Sequence, residues 1–302
     1  MKLFRWSAAV VCAFALWQPP AASAAEMNRS RLSWSEVEAL PLPPASERIA
    51  YGDAPEQFGE LRLPSGEGPF AVVMLIHGGC WLSDFDYAHL TRVAAALTHA
   101  GYATWTVEYR RLGNDGGGWP GTFLDVAQAA DHLRPLAKKF PLDLKRVVAV
   151  GHSAGGQLAL WLAARAGLPE DSALYRPQPL PLTGVIGLAA ITDLATYRIG
   201  DEGSCHSSVD PLLGGAPAQV PERYAQTSPL ALLPLHRPIW LIQGDDDPVV
   251  EPASAAAFIA AAQAKGDRAI LTSVPTGHFE LVVPQGAAYE ALLTALAVLL
   301  RP

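Results

Sequence analysis

The stretch VGHSAGGQLAL, Val150 to Leu160, constrains this chain more than any other. The β-branched run RVVAV leads into it, and the apolar, helix-forming run LALWLAARA follows. Between the two, the backbone must leave a strand and enter a helix almost at once. Gly151 and Gly155 flank Ser153 at two residues on either side, the G-x-S-x-G pattern. A turn this tight has no room for bulky neighbours, and its central residue is held in a strained conformation. Strain of that kind lifts a side chain clear of a sheet, beside a helix N-terminus. A hydroxyl in that place is a candidate nucleophile.

A turn of this kind needs strands that alternate with helices, and the chain supplies them. ERIAYG and QFGELRLP are short extended runs. FAVVMLIHGG is continuously apolar, as a strand buried on both faces must be. A helix is predicted over 87–100, a strand in YATWTVEYR, and a helix over 122–140 after the glycine-rich loop LGNDGGGWPG. Beyond the serine strand and its helix, strands are predicted at 183–191 and 237–244. A helix at 253–265, a strand at 268–274 and a last helix at 286–300 follow. This alternation predicts an α/β fold: a mostly parallel central sheet, helices on both faces and an antiparallel edge. Between 192 and 227 it breaks at DEGSCHSSVDPLLGGAP, which reads as a lid-like excursion over one end of the sheet, a small lid or a pocket wall.

The N-terminus reads differently. MKLFRW carries Lys2 and Arg5, an apolar run follows from Ser7 to Trp17, and Ala22-Ser23-Ala24 is a small-x-small cleavage signal. Residues 1–24 are therefore expected to be a signal peptide, removed on export to the periplasm or outside the cell, leaving no membrane anchor. Residues 25–46 form an N-terminal arm with a short helix in SWSEVEAL, and 47–302 the α/β domain. The chain has 302 residues and a formal charge of −7, with no run of Lys or Arg. That argues against nucleic-acid and anionic-membrane partners. Nothing in the sequence bears on oligomeric state. Cys80 and Cys205 remain after cleavage, and an oxidising compartment makes them a candidate pair if their Cα atoms come within about 7 Å.

A serine needs a base within hydrogen-bond reach, and histidine is the usual one because its pKa lies near the working pH. His278, in PTGHFE directly after the last strand, is the strongest of eight histidines. His152, beside the serine, is expected to point to the other side of the turn; His89, His99 and His132 read as packing or solvated histidines on helices. The acid that orients the base should also end a strand. LIQGDDDPVVEP offers Asp247, with Asp193 in AAITDL as the rival. HGGCW, His77 to Trp81, closes the strand before the first crossover. Its glycines let the backbone approach a ligand, so the N–H groups of Gly79 and Cys80, with Ala154, are candidate oxyanion donors. His77 is expected to brace that loop, while Trp81, Trp119 and Phe279 either line an apolar substrate pocket or simply pack.

HGGCW, VEYRR, GHSAGG, GDDDPVV and GHFE occur in an order that resembles the α/β-hydrolases over residues 47–300. Within that superfamily the chain is similar to the esterase/lipase and kynurenine-formamidase-like group, on HGG-x-W and AAITDL. The resemblance implies a Ser153–His278–Asp247 triad acting on a small carboxylic ester through an acyl-enzyme, with neither metal nor organic cofactor. The alternatives are an arylformamidase, an aminopeptidase-like serine peptidase, and a non-catalytic binding protein on the same scaffold.

Overall fold

A computed structural model describes residues 31–44 and 46–301. The expected signal peptide lies outside the described residues. The elements run α1 (Trp34–Glu38), β1 (Glu47–Ala50), β2 (Phe58–Arg62), β3 (Phe70–Ile76), α2 (Ala88–His99), β4 (Ala103–Val107), α3 (Gly121–Asp131) and α4 (Leu133–Leu136). They continue with β5 (Leu142–His152), α5 (Ala154–Ala164), β6 (Gly184–Leu188), α6 (Leu194–Tyr197), α7 (Val209–Leu213) and α8 (Pro221–Thr227). The chain closes with β7 (Ile239–Gly244), α9 (Pro252–Ala264), β8 (Ala269–Val274) and α10 (Gly286–Leu299).

All eight strands form one sheet in the order β1-β2-β4-β3-β5-β6-β7-β8. β1, β2 and β4 pair antiparallel, and every pairing from β4 through β8 is parallel. Burial follows position in the sheet. β4, β6 and β7 are buried at every residue, as strands with helices on both faces must be. The edge strands β1 and β8 keep exposed positions.

The parallel direction decides where chemistry can occur. β3, β5, β6, β7 and β8 all end on the same side of the sheet, so HGGCW, Ser153, Asp193, Asp247 and His278 leave from one edge. β5 and β8 are three strand spacings apart, roughly 14 Å. The loop after β8 must therefore return across the sheet edge to reach the serine.

One expectation is corrected. The helix foreseen over 122–140 is two, α3 and α4, broken at His132. Pro135 has no N–H to give the carbonyl of Asp131, so the ladder stops there. Of the two readings of 192–227, lid and pocket wall, the packing favours the wall. Val209, Leu212 and Leu213 of α7 are fully buried, and Leu212 O accepts from Trp119 N (2.7 Å). Arg198 closes the segment on itself with a two-pronged ion pair to Asp210 (2.6 Å each).

The arm is anchored beside the β7 and β8 loops. Ser33 and Glu36 form a capping box that starts α1. Leu32 N donates to Glu280 Oε1 (2.7 Å), and Arg31 pairs with Asp246 (3.2 Å). From α2, Arg92 donates to the carbonyls of Glu38, Leu40 and Pro41 that end the arm's helix.

Candidate active site

Ser153 has φ 55° and ψ −119°, a left-handed backbone that a residue with a Cβ adopts only under constraint. The constraint is visible. Its N–H donates to Leu188 O (2.9 Å), and its carbonyl accepts from Gly156 (2.9 Å) and Gln157 (3.2 Å). A Cβ on Gly155 would overlap the carbonyls of Ile76 and His77, so only glycine lets α5 start this close to β3. Ser153 is 3% exposed. Its Oγ makes no hydrogen bond among the described residues, yet it is not one of the sealed, unpartnered atoms: the hydroxyl keeps the access. It sits at the N-terminus of α5, where the first N–H groups, Ala154 included, have no partner within the helix.

His278 lies in the loop after β8, just before a 3₁₀ turn at Phe279–Val282, and is also 3% exposed. Its Nδ1 donates to Asp247 Oδ2 at 2.7 Å. Asp247 Oδ2 also accepts from Gln243 Nε2 (3.0 Å), and Oδ1 accepts from the N–H groups of Val249 (2.8 Å) and Val250 (2.9 Å). Burial alone would raise the Asp247 carboxyl. The bond and charge of His278, with the two backbone donors, outweigh burial and hold it below the usual carboxylate range. A carboxylate so held keeps the proton of His278 on Nδ1 and leaves Nε2 as the free base. The serine's segment and the histidine's loop touch: His152, next to Ser153, donates from Nε2 to the carbonyl of His278 (3.1 Å).

The HGGCW loop has left-handed backbone at Gly79 (φ 99°), Cys80 (φ 55°) and Trp81 (φ 57°), closed by Leu82 N on Gly79 O (2.9 Å). Among the described residues, the N–H groups of Gly79 and Cys80 donate no hydrogen bond, as donors kept for a ligand would not. The loop is braced from below as expected of His77. Its Nε2 meets Glu108 Oε1 (3.0 Å), its ring stacks on Tyr109 (4.5 Å), and its carbonyl accepts from Tyr109 Oη (2.8 Å). Burial would raise Glu108, but His77, Arg111 and the Tyr109 N–H together pull it below the usual range. Cys80 is joined to Cys205 in a disulfide, Cα to Cα 5.0 Å, which ties this loop to the 192–227 wall.

The remaining candidates divide between packing and capping roles. Trp81 is fully buried, and its indole N–H donates to Gln157 Oε1 (3.2 Å), so it floors the loop rather than lining an open pocket. Trp119 sits under the Arg223 guanidinium, 5.4 Å from its ring centre, while Phe279 packs edge-on against His278 (5.0 Å). Asp193 makes no bond to His278; it caps α6, accepting from Ala195 N (3.1 Å) and Ser228 Oγ (3.1 Å). A cleft of about 500 Å³ runs beside the acid loop, lined by Ile191, Tyr197, Ile199, Leu230, Val249 and Phe258 among others; neither Ser153 nor His278 lines it. His152 does not turn away from the site, and His89 is the packing histidine its helix position allowed. Both are buried, and they are bonded to each other, Nε2 of His89 to Nδ1 of His152 (2.8 Å). The pairing of His89 with His152 has no sequence signature, because it joins α2 to the end of β5.

Residues 60–261 match the BD-FAE family model, an α/β-hydrolase esterase domain. No curated protein sequence matches the chain. Solved structures match in fold. A truncated carbohydrate esterase from gut microbiota is 19% identical with a TM-score of 0.72, over 85% of this chain and 96% of that one. Esterase 2 of Thermogutta terrifontis, solved phosphonylated by sarin, is 19% identical with a TM-score of 0.71, over 90% of this chain and all of that one. A bifunctional GH43-CE protein of Bacteroides eggerthii is 23% identical with a TM-score of 0.71, over 83% of this chain and 37% of that one.

Proposed function

Because the chain belongs to the BD-FAE family of α/β-hydrolase esterases, we propose that it is an exported serine hydrolase that cleaves a small carboxylic ester through an acyl-enzyme. One observation carries the mechanism: a buried carboxylate, saturated by three donors besides His278, holds that imidazole in the tautomer a general base requires. Nε2 of His278 takes the Ser153 proton as Oγ attacks the ester carbonyl. The oxyanion forms against the N–H groups of Gly79, Cys80 and Ala154. Backbone donors held on a tight loop and a helix end stabilise developing charge without reorganising. His278 then returns the proton to the leaving alcohol, and water releases the acyl group by the same route. No step calls for a metal or organic cofactor. The disulfide between Cys80 and Cys205 supports export, since thiols in a reducing compartment stay apart.

Purified protein is expected to hydrolyse short-chain aryl esters, and Ser153→Ala to lose on the order of 10³-fold or more in kcat with its circular dichroism unchanged. Full activity in that variant overturns the reading. Turnover of N-formyl aryl amides or aminoacyl anilides, but not of esters, would shift it to the amide branch of the same fold.

A further inference from the structure

Beneath His278 lies a column of rings that the mechanism above does not use. Trp34 of α1 stacks on His89 of α2 (4.6 Å between centres, 29°), His89 bonds His152, and the His152 ring packs 4.5 Å from that of His278. The partners of each nitrogen settle where the protons sit. His152 Nε2 faces the carbonyl oxygen of His278, which can only accept, so Nε2 carries the hydrogen. His152 stays neutral: burial, and then the neighbouring His278, press its pKa down to about 3. Its Nδ1 is therefore a lone pair, and His89 Nε2, 2.8 Å away, must be the donor. His89 Nδ1 is left bare, a buried atom with no partner among the described residues. Protonating His89 would place a hydrogen on that sealed nitrogen. Burial first, then His152, His77, His278 and Arg92, hold its pKa well below the ordinary value.

We propose that His152 and His89 are positioning residues for His278, with His89 selecting the tautomer of His152 and His152 fixing the main chain of the base. This rests on the serine-hydrolase reading. The geometry gives the main chain of His278 a side-chain anchor from the last residue of β5, next to Ser153, so base and nucleophile are referenced to each other. Asp247 sets the imidazole's tautomer, and His152 sets where the imidazole starts. Trp34 covers the open side of His89 and packs against Phe279 (5.9 Å), the residue after the base. The arm thus closes the column from outside the 60–261 span of the family match. A histidine donor suits this position because its ring reaches the carbonyl while its second nitrogen is held by His89. Neither role involves contact with substrate, so the loss should appear in kcat rather than KM.

The test uses full-length protein, a short-chain aryl ester and a fluorophosphonate. In histidine-¹⁵N-labelled wild type, NMR should show His89 and His152 both protonated on Nε2 and neither titrating between pH 5 and 8. His152→Phe should lose ~10-fold or more in kcat, the worth of one buried hydrogen bond, with KM within ~3-fold. His152→Gln, which can still donate to the His278 carbonyl, should recover most of that loss. His89→Phe should fall between the two. If His152→Phe does not fold, the Gln variant and the wild-type tautomers still decide. A proton on Nδ1 of His152, wild-type kcat in His152→Phe, or equal losses in Gln and Phe variants would each overturn the proposal. Wild-type protein that neither hydrolyses the ester nor reacts with the fluorophosphonate would remove the serine-hydrolase reading itself, whatever the tautomers show.

Discussion

Replacing Asp247 by asparagine is expected to leave a folded protein with its base disabled. The carboxylate has two sides. Oδ1 faces two backbone donors, Val249 and Val250 N–H, which cannot move aside. Oδ2 faces Gln243 Nε2 and His278 Nδ1, both on side chains that can adjust. An asparagine oxygen will therefore occupy the Oδ1 site, because an NH₂ there would leave two buried N–H groups unpaired, at about 1–3 kcal/mol each. The NH₂ must then sit against His278 Nδ1 and donate to it. That moves the imidazole proton to Nε2, the nitrogen that has to accept from Ser153. Where the same exchange has this effect in Ser-His-Asp enzymes, kcat falls about 10⁴-fold, or about 5 kcal/mol in the barrier. The assay is kcat on a short aryl ester at neutral pH, with near-ultraviolet circular dichroism as the fold control. Asp193→Asn serves as the comparison and should stay within ~3-fold of wild type, with at most about 1 kcal/mol of stability lost from the α6 cap. More than a tenth of wild-type kcat in Asp247→Asn, or a larger loss at Asp193, would refute the reasoning.

Cys205→Ser should lower stability by up to about 4–5 kcal/mol on the chain-entropy model for a separation of 125 residues, read from urea midpoints. Non-reduced, unfolded protein cleaved after Ala24 should titrate no free thiol. Asp247, Glu108 and Asp131 are all held below the usual carboxylate range. Their folded pKa values lie under the unfolded ones, so the stability they contribute is complete above about pH 4 and drains away as pH falls below it. Thermal unfolding at pH 6, 4 and 3 should show that loss, and a Tm that rises on acidification would contradict it. Gly155→Ala should give insoluble or inactive protein, because its Cβ meets the backbone oxygens of Ile76 and His77 rather than a movable side chain; a soluble, active variant would deny that β3 and α5 approach so closely.

The fold was legible because its signals are local. The apolar run at β3, the glycines around Ser153 and the alternation of strands with helices each report on a few consecutive residues. The loops that carry Asp247 and His278 could be placed because parallel strands end on a common edge. What escaped is what depends on contacts distant in sequence. Nothing near Trp81 announces that a left-handed loop will take its indole beneath HGGCW, to Gln157. Nothing near His152 announces the carbonyl of His278, 126 residues away. Asp193 and Asp247 both follow buried strands. Only the structure separates the one that caps a helix from the one that meets the base. The glycines and prolines of 192–227 left lid and pocket wall both open, because the leucines of α7 that pin it are too few to read as a periodic face.

The most direct test of the account is to map the covalent adduct left by a fluorophosphonate. Intact mass should show one phosphonyl group per chain, and peptide mapping should place it on the peptide around Ser153. Ser153→Ala should take up none, and Asp247→Asn should react far more slowly than wild type. An adduct on any other serine, or undiminished labelling of Ser153→Ala, would contradict the claim that Ser153 is the nucleophile.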